Sequence, residues 1–357
     1  MTNRVSIAAV LVLTAAVLFV FAAGAGEREE ADADARAVDA VLDRPWQEAV
    51  ISVRDLDAAS RLFRDVGGWE VVSRGAMRRS ELDHWGLPDS AAGEYLLIRA
   101  PGSTFGHLRF VRFIGVEQTP VRVGARAWDT GGYFSLMLRA RDLDRVYADA
   151  LAIGWHSESE PVRFDFAPSV LANVVLKGPD GINVALYERL EPPLDAFWDF
   201  ERLSQPFNAM QMVADIERAD RFFHDGLGMT HFWSGDFLDP APGPNNFGLP
   251  QNLVTEIPRR TRILEADPGS EIGRLELMQF AGLDGRDLSA RADAPNLGIL
   301  AVRYEVADIR ALPARLADRG IDTLRGPHDV EIEAIGETTM VTVQAPDGAL
   351  VQLYAPR

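Results

Sequence analysis

The chain has 357 residues, more than a single core ordinarily organises, and 47% hydrophobic with 25% charged residues is a globular composition, so two domains are expected. A net charge of −17 repels phosphate backbones and sets nucleic acid aside as a partner. The absence of cysteine excludes disulfides, thiol catalysis and thiolate-bound metals.

At the N-terminus Arg4 precedes an apolar run from Val5 to Ala23, interrupted only by Ser6 and Thr14. Ala23-Gly24-Ala25 has the form of a small-residue cleavage site, and an acidic stretch, Glu27 to Asp34, follows. The pattern predicts a secretory signal peptide over residues 1–25. The run is also long enough to span a bilayer, so an uncleaved N-terminal anchor is the alternative. Either way the rest of the chain is expected in the periplasm or at the outer face of the inner membrane, meeting the membrane only through this segment. Residues 26–44, charged and Ala-rich, read as a flexible acidic leader.

The remainder repeats. Asp55-Leu56-Asp57 through Gly68-Trp69 matches Asp215-Ile216-Glu217 through Gly228-Met229, with Arg61 and Phe63 answered by Arg221 and Phe223. Gly86-Leu87-Pro88 recurs as Gly248-Leu249-Pro250, and Pro179-Asp180-Gly181 as Pro346-Asp347-Gly348. The matches keep their order at nearly constant offset, so two homologous domains are read over 45–195 and 203–357. Each splits again. Strands at Val50–Val53, Phe134–Leu138, Met210–Val213 and Val302–Val306 each lead to an Asp N-cap (Asp55, Asp142, Asp215, Asp308), an amphipathic helix and a Gly stop at Gly67-Gly68, Gly154, Gly226 or Gly320. Strand-like runs follow each helix. The predicted unit is βαβββ, four times over, an α+β chain.

Four such modules, an Asp closing each first strand and a Pro-Asp-Gly turn before each domain's last strand resemble the vicinal-oxygen-chelate superfamily, which includes glyoxalases, bleomycin-resistance proteins and extradiol dioxygenases. The resemblance implies two tandem domains of curved mixed sheets with helices outside. Paired modules would form an open cup that often holds a divalent cation on His, Gln or Glu side chains. Which modules pair is left open by the sequence. Grouped by domain, strand alternation aims Glu48, His107, Arg109, Ser135, Met137, Arg139, Asn183, Ala185 and Tyr187 into a first cup. It aims Asn208, Met210, Met212, Arg274, Glu276, Met278, Ala301, Arg303, Glu305, Gln352 and Tyr354 into a second. The resemblance places the family's ligand positions at Glu48, Arg109, Ser135 and Ala185, and at Asn208, Glu276, Ala301 and Gln352. None is His, and Arg cannot ligate a metal. Glu48 and Arg109 are expected to pair with each other.

Glu276 is the candidate catalytic or ligand-binding carboxyl, with a raised pKa in a partly apolar cup, or else an ion-pair partner of Arg274 or Arg303. Asn208, Gln352, Arg303 and Tyr354 would orient a polar ligand, or simply line the cavity. Met210, Met212 and Met278 suit an adaptable apolar pocket as well as ordinary core. His107, Arg109 and Arg139 would form an anion-binding patch, or else pair with other inward charges across the sheet. His84-Trp85 and the Pro-rich stretch Asp239–Pro250 sit where a rim or lid would lie. His224, His231 and His328 are given no role. The expectation is a small-organic-molecule-binding protein, closer to the bleomycin-resistance branch than to glyoxalase I, with no cofactor and its working pocket in the second domain. The alternatives are a lyase, isomerase or dioxygenase in which Glu276, Gln352 and Asn208 hold a divalent cation, and an assembly role with vestigial cups.

Overall fold

The computed structural model describes residues 40–166, 168–193 and 199–357. The signal or anchor segment and residues 26–39 of the leader lie outside the described residues. Among the described residues no helix is long and apolar enough to cross a membrane.

The first module runs β1 (Glu48–Ser52), α1 (Leu56–Arg61, continued by a wider turn to Val66), β2 (Glu70–Ala76), α2 (Arg79–His84), β3 (Ala92–Arg99) and β4 (His107–Ile114). The second runs β5 (Tyr133–Ala140), α3 (Leu143–Ala152), β6 (His156–Ser157), β7 (Val162–Phe166), β8 (Ser169–Lys177) and β9 (Asn183–Glu191). The third has β10 (Leu203–Met212), α4 (Ile216–Arg221), β11 (Thr230–Phe237), β12 (Arg259–Glu265) and β13 (Arg274–Phe280). The fourth has β14 (Gly298–Glu305), α5 (Leu312–Asp318), β15 (Thr323–Ile332), β16 (Gly336–Gln344) and β17 (Leu350–Pro356).

The capping expected from the Asp residues is present at Asp55, Asp142 and Asp215, whereas Asp308 accepts from the N–H of Ala311 in the turn before α5, whose N-cap is Ala311. Asp55 accepts from the N–H groups of Asp57 and Ala58 at 2.9 and 3.0 Å, and Asp215 from that of Arg218 at 3.1 Å. One stop differs from the reading. The left-handed residue after α4 is Gly228 (φ 78°), not Gly226. Gly226 packs closely instead, since a Cβ there would meet Ile321 Cδ1 at 2.3 Å and displace that methyl group.

The modules join in an order the linear repeat conceals. One sheet runs β15-β16-β17-β14-β1-β4-β3-β2, the other β11-β12-β13-β10-β5-β9-β8-β6, with β7 on β8. The first module therefore pairs with the fourth, through antiparallel β1 and β14, and the second with the third, through antiparallel β5 and β10. Each half of the chain lends one module to each sheet. This corrects the grouping of inward residues by domain.

Helices α1, α3, α4 and α5 lie on the side of each sheet away from the cup, as strand parity requires, and there they share one core with both sheets. Phe63 lies 5.2 Å from Trp69, 5.9 Å from Phe110 and 6.5 Å from Trp155, tying the first module to the second. Trp69 Nε1 donates to the Leu203 carbonyl at 3.2 Å, and Tyr133 Oη to that of Leu350 at 3.1 Å. The two sheets are thus bound back to back, leaving one cup on each outer face.

Candidate functional site

In the cup of modules one and four, β1, β4, β14 and β17 deliver Glu48, Arg109, Arg303 and Gln352 to one point. Arg303 donates from Nε to Gln352 Oε1 at 2.7 Å, from Nη1 to Glu48 Oε1 at 2.6 Å and from Nη2 to Glu81 Oε1 at 2.7 Å. Arg109 Nε reaches Glu48 Oε1 at 2.7 Å, the pairing expected from sequence, and its Nη2 reaches the Glu333 carbonyl at 2.8 Å. Both arginine side chains are fully buried. Burial alone would raise the Glu48 pKa, but the two guanidiniums outweigh it and hold the carboxyl below its ordinary range.

Glu81 belongs to α2, which with Met77, Leu82, Trp85 and Leu87 fills this cup. His84 closes the plug, 2.7 Å from Thr342 Oγ1 through Nε2 and 3.1 Å from His328 Nδ1 through Nδ1. Burial, then His328, Arg303 and Arg325, push the His84 pKa down to about 3. Sequence reasoning missed Glu81 and the His84–His328 pair, because their partners lie on strands more than 200 residues away. His107 sits at the start of β4, near the Ser103 carbonyl at 3.4 Å. Tyr354 packs with Val330, Ile332 and Met340.

In the cup of modules two and three, β5, β9, β10 and β13 bring together Ser135, Met137, Ala185, Asn208, Met210, Met212, Glu276 and Met278. Met210 stands opposite Ser135 on one side and Glu276 on the other. Glu276 pairs with neither Arg274 nor Arg303. Arg274 is engaged by Glu265 at 3.0 Å and lies over the Phe232 ring at 3.5 Å, and Arg303 is in the other sheet. Glu276 Oε2 receives Asn208 Nδ2 at 3.3 Å, and the same amide nitrogen lies 3.5 Å from Met137 Sδ. Burial raises the Glu276 pKa to about 7, against a smaller lowering by Asn208. Asn208 Oδ1 and Ser135 Oγ are buried with no hydrogen-bond partner among the described residues. Tyr187 lines the same cup; burial, then the Glu276 charge, push its phenol pKa up.

The connection between β11 and β12 covers this cup with Phe247, Leu249, Val254 and Ile257. Asn245 knots it, accepting from the N–H groups of Phe247 and Leu249 at 3.1 and 3.0 Å and donating to the Leu249 carbonyl at 2.7 Å. The Gly-Leu-Pro repeats thus mark equivalent plugs, one helical and one irregular.

Two groupings read from sequence do not form. Glu276 and Asn208 share a cup, but Gln352, Arg303 and Tyr354 are in the other. Arg139 lies on β5, so it makes no patch with His107 and Arg109 on the opposite sheet.

Glyoxalase I from maize (Zea mays) is similar to this chain, with a TM-score of 0.58 and 17% identity over 87% of this chain and 92% of its own. A Bacillus subtilis protein described as a dioxygenase gives 0.52 and 10%, over 89% and 86%. The fold is that of the vicinal-oxygen-chelate superfamily. No protein-family model matches the sequence, and no curated protein matches it.

The cups depart from what a vicinal-oxygen-chelate metal site needs. Among the described residues no three His, Asp or Glu side chains gather where they could hold an ion. In the Arg303 cup a guanidinium already occupies the point where Glu48 and Gln352 meet. In the Glu276 cup the corresponding positions supply one carboxyl, one amide and one hydroxyl, and Ala185 supplies no donor. Such a set suits a weakly held hard cation rather than a tight transition-metal centre.

Proposed function

We propose that this vicinal-oxygen-chelate-fold protein binds a small organic molecule in the cup of modules two and three, without a tightly held metal. One observation carries the reading. Glu276, its only hydrogen bond among the described residues coming from Asn208, lies among methionines beside two polar atoms without a partner among those residues, Asn208 Oδ1 and Ser135 Oγ. An unsatisfied buried polar atom costs about 1–3 kcal/mol, and a ligand that supplies its partner recovers that cost. The centre of the other cup is taken by Arg303, whose three guanidinium nitrogens are all engaged, and the atoms beside it without a partner among the described residues, Arg109 Nη1 and Gln352 Nε2, can only donate. Four methionines supply an apolar wall that reshapes around a guest.

A second reading rests on the Glu276 pKa of about 7. A carboxyl half-ionised near neutrality takes and returns a proton readily, which would make Glu276 a general acid–base catalyst on a bound substrate. The test is a thermal-shift screen of small organic compounds on the full chain, repeated with Asn208→Leu and Glu276→Gln. Stabilising compounds whose effect both substitutions reduce support binding here. Compounds that stabilise all three proteins equally would place the ligand elsewhere.

A further inference from the structure

Where β5 and β9 run side by side, a cavity of about 300 Å³ opens beside the Glu276 cup, and Arg139, Arg141 and Arg189 all line it. On a chain of net charge −17 this is a local concentration of guanidinium. Its polar groups are unequally satisfied. Arg141 is engaged, its Nε donating to the Phe200 carbonyl at 2.7 Å. Glu188, the carboxylate in the lining, accepts the N–H groups of Asp142 and Leu143 at 3.2 and 3.1 Å and so serves the start of α3. The Nε groups of Arg139 and Arg189 are buried without a hydrogen-bond partner among the described residues. The Arg139 side chain is only 10% exposed, its guanidinium carbon 4.2 Å over the centre of the Phe207 ring. Its one carboxylate neighbour among the described residues, Glu271, stands off at 3.9 Å and is shared with Arg274 at 3.7 Å.

A guanidinium that deeply buried normally carries a hydrogen-bonded anion, because burial of an uncompensated charge is costly. Paired guanidiniums match the planar, two-oxygen face of a carboxylate. Tyr187 lines both this cavity and the Glu276 cup, making the two neighbouring compartments. We infer that the cavity is an anion subsite: Arg139 and Arg189 hold the carboxylate of a small organic acid whose uncharged body lies over Tyr187 toward Glu276. The placement of the body rests on the function proposed above; the carboxylate site does not.

The probes are benzoate and its neutral counterpart benzamide, titrated into the full chain by calorimetry and thermal shift. Benzoate binds more tightly than benzamide by about tenfold, the size of a charge-assisted hydrogen-bond contribution. Arg189→Gln and Arg139→Gln, checked for folding by circular dichroism, each remove that preference and leave benzamide unchanged. If Arg139→Gln does not fold, the half-buried Arg189 carries the test alone. Equal affinity for the two probes, no binding of benzoate, or an undiminished preference in Arg189→Gln would overturn the inference. Glu276→Gln separates the two proposals. If it weakens both probes and keeps the preference for benzoate, both stand. If it changes neither, the anion subsite stands and the body does not reach the cup.

Discussion

Arg303 Nη1 lies 2.6 Å from Glu48 Oε1, joining the first strand of the fourth module to that of the first across 255 residues. The contact is the centre of a buried lattice that also takes in Arg109, Glu81 and Gln352. Breaking one buried partner leaves its neighbours uncompensated, at a cost of about 3–5 kcal/mol, whereas removing both partners costs far less. Arg303→Met should therefore destabilise the chain by that amount in urea unfolding, and Glu81→Met with Arg303→Met by less than the sum of the two single changes. Additive effects would show that the lattice is not coupled.

The Glu276 pKa sets a pH dependence with a definite sign. The folded value, about 7, lies above the ordinary 4.5, so the folded state binds the proton more tightly. Its stabilising contribution is complete below pH 4.5 and is lost as pH rises to 7, on the order of 3 kcal/mol in all. Glu276→Gln should remove this slope and leave the variant the more stable protein at pH 8. His84 works in the opposite direction: its pKa, depressed from 6.5 to about 3, withdraws stability as pH falls through that window. The informative quantity is therefore the difference in melting temperature between variant and parent across pH 4 to 8. A constant difference would mean that Glu276 titrates as an ordinary carboxyl.

The plug over the Glu276 cup is held by Leu249 and the Asn245 knot. Leu249→Ala should cost about 2–5 kcal/mol if the site cannot collapse, and less if the loop settles inward. Amide exchange should accelerate across residues 245–257 and stay unchanged in β10. Uniform acceleration would mean that the plug and the sheet open together.

Module exchange makes the halves interdependent. When residues 45–195 and 203–357 are produced separately, the first strand of each module loses one of its two neighbours. Alone they should be poorly folded by near-ultraviolet circular dichroism; mixed, they should regain the native spectrum. Two independently folded halves would contradict the pairing.

Much of this was legible in the sequence. Val351 and Leu353 alternate with Gln352 and Tyr354, and that period set the faces correctly because one side of each sheet meets apolar helices and the other a polar cup. The pairing of modules was not legible. The four modules carry similar faces, so no local pattern distinguishes β14 from β5 as the neighbour of β1. The helix α2 also escaped, being six residues long with no side-chain cap at Arg78. Its stability comes from Glu81 and His84 inside the cup, a tertiary cause that local propensity does not report.

Methionine methyl groups offer the most direct test of the binding cup. Met137, Met210, Met212 and Met278 line it, while Met77 and Met340 lie on the cup side of the other sheet. With ¹³C-methyl-methionine labelling, a compound that stabilises the protein should shift the resonances of the first four and leave Met77 and Met340 in place. Shifts at Met77 and Met340 with the other four unmoved would contradict the account and transfer the site to the Arg303 cup.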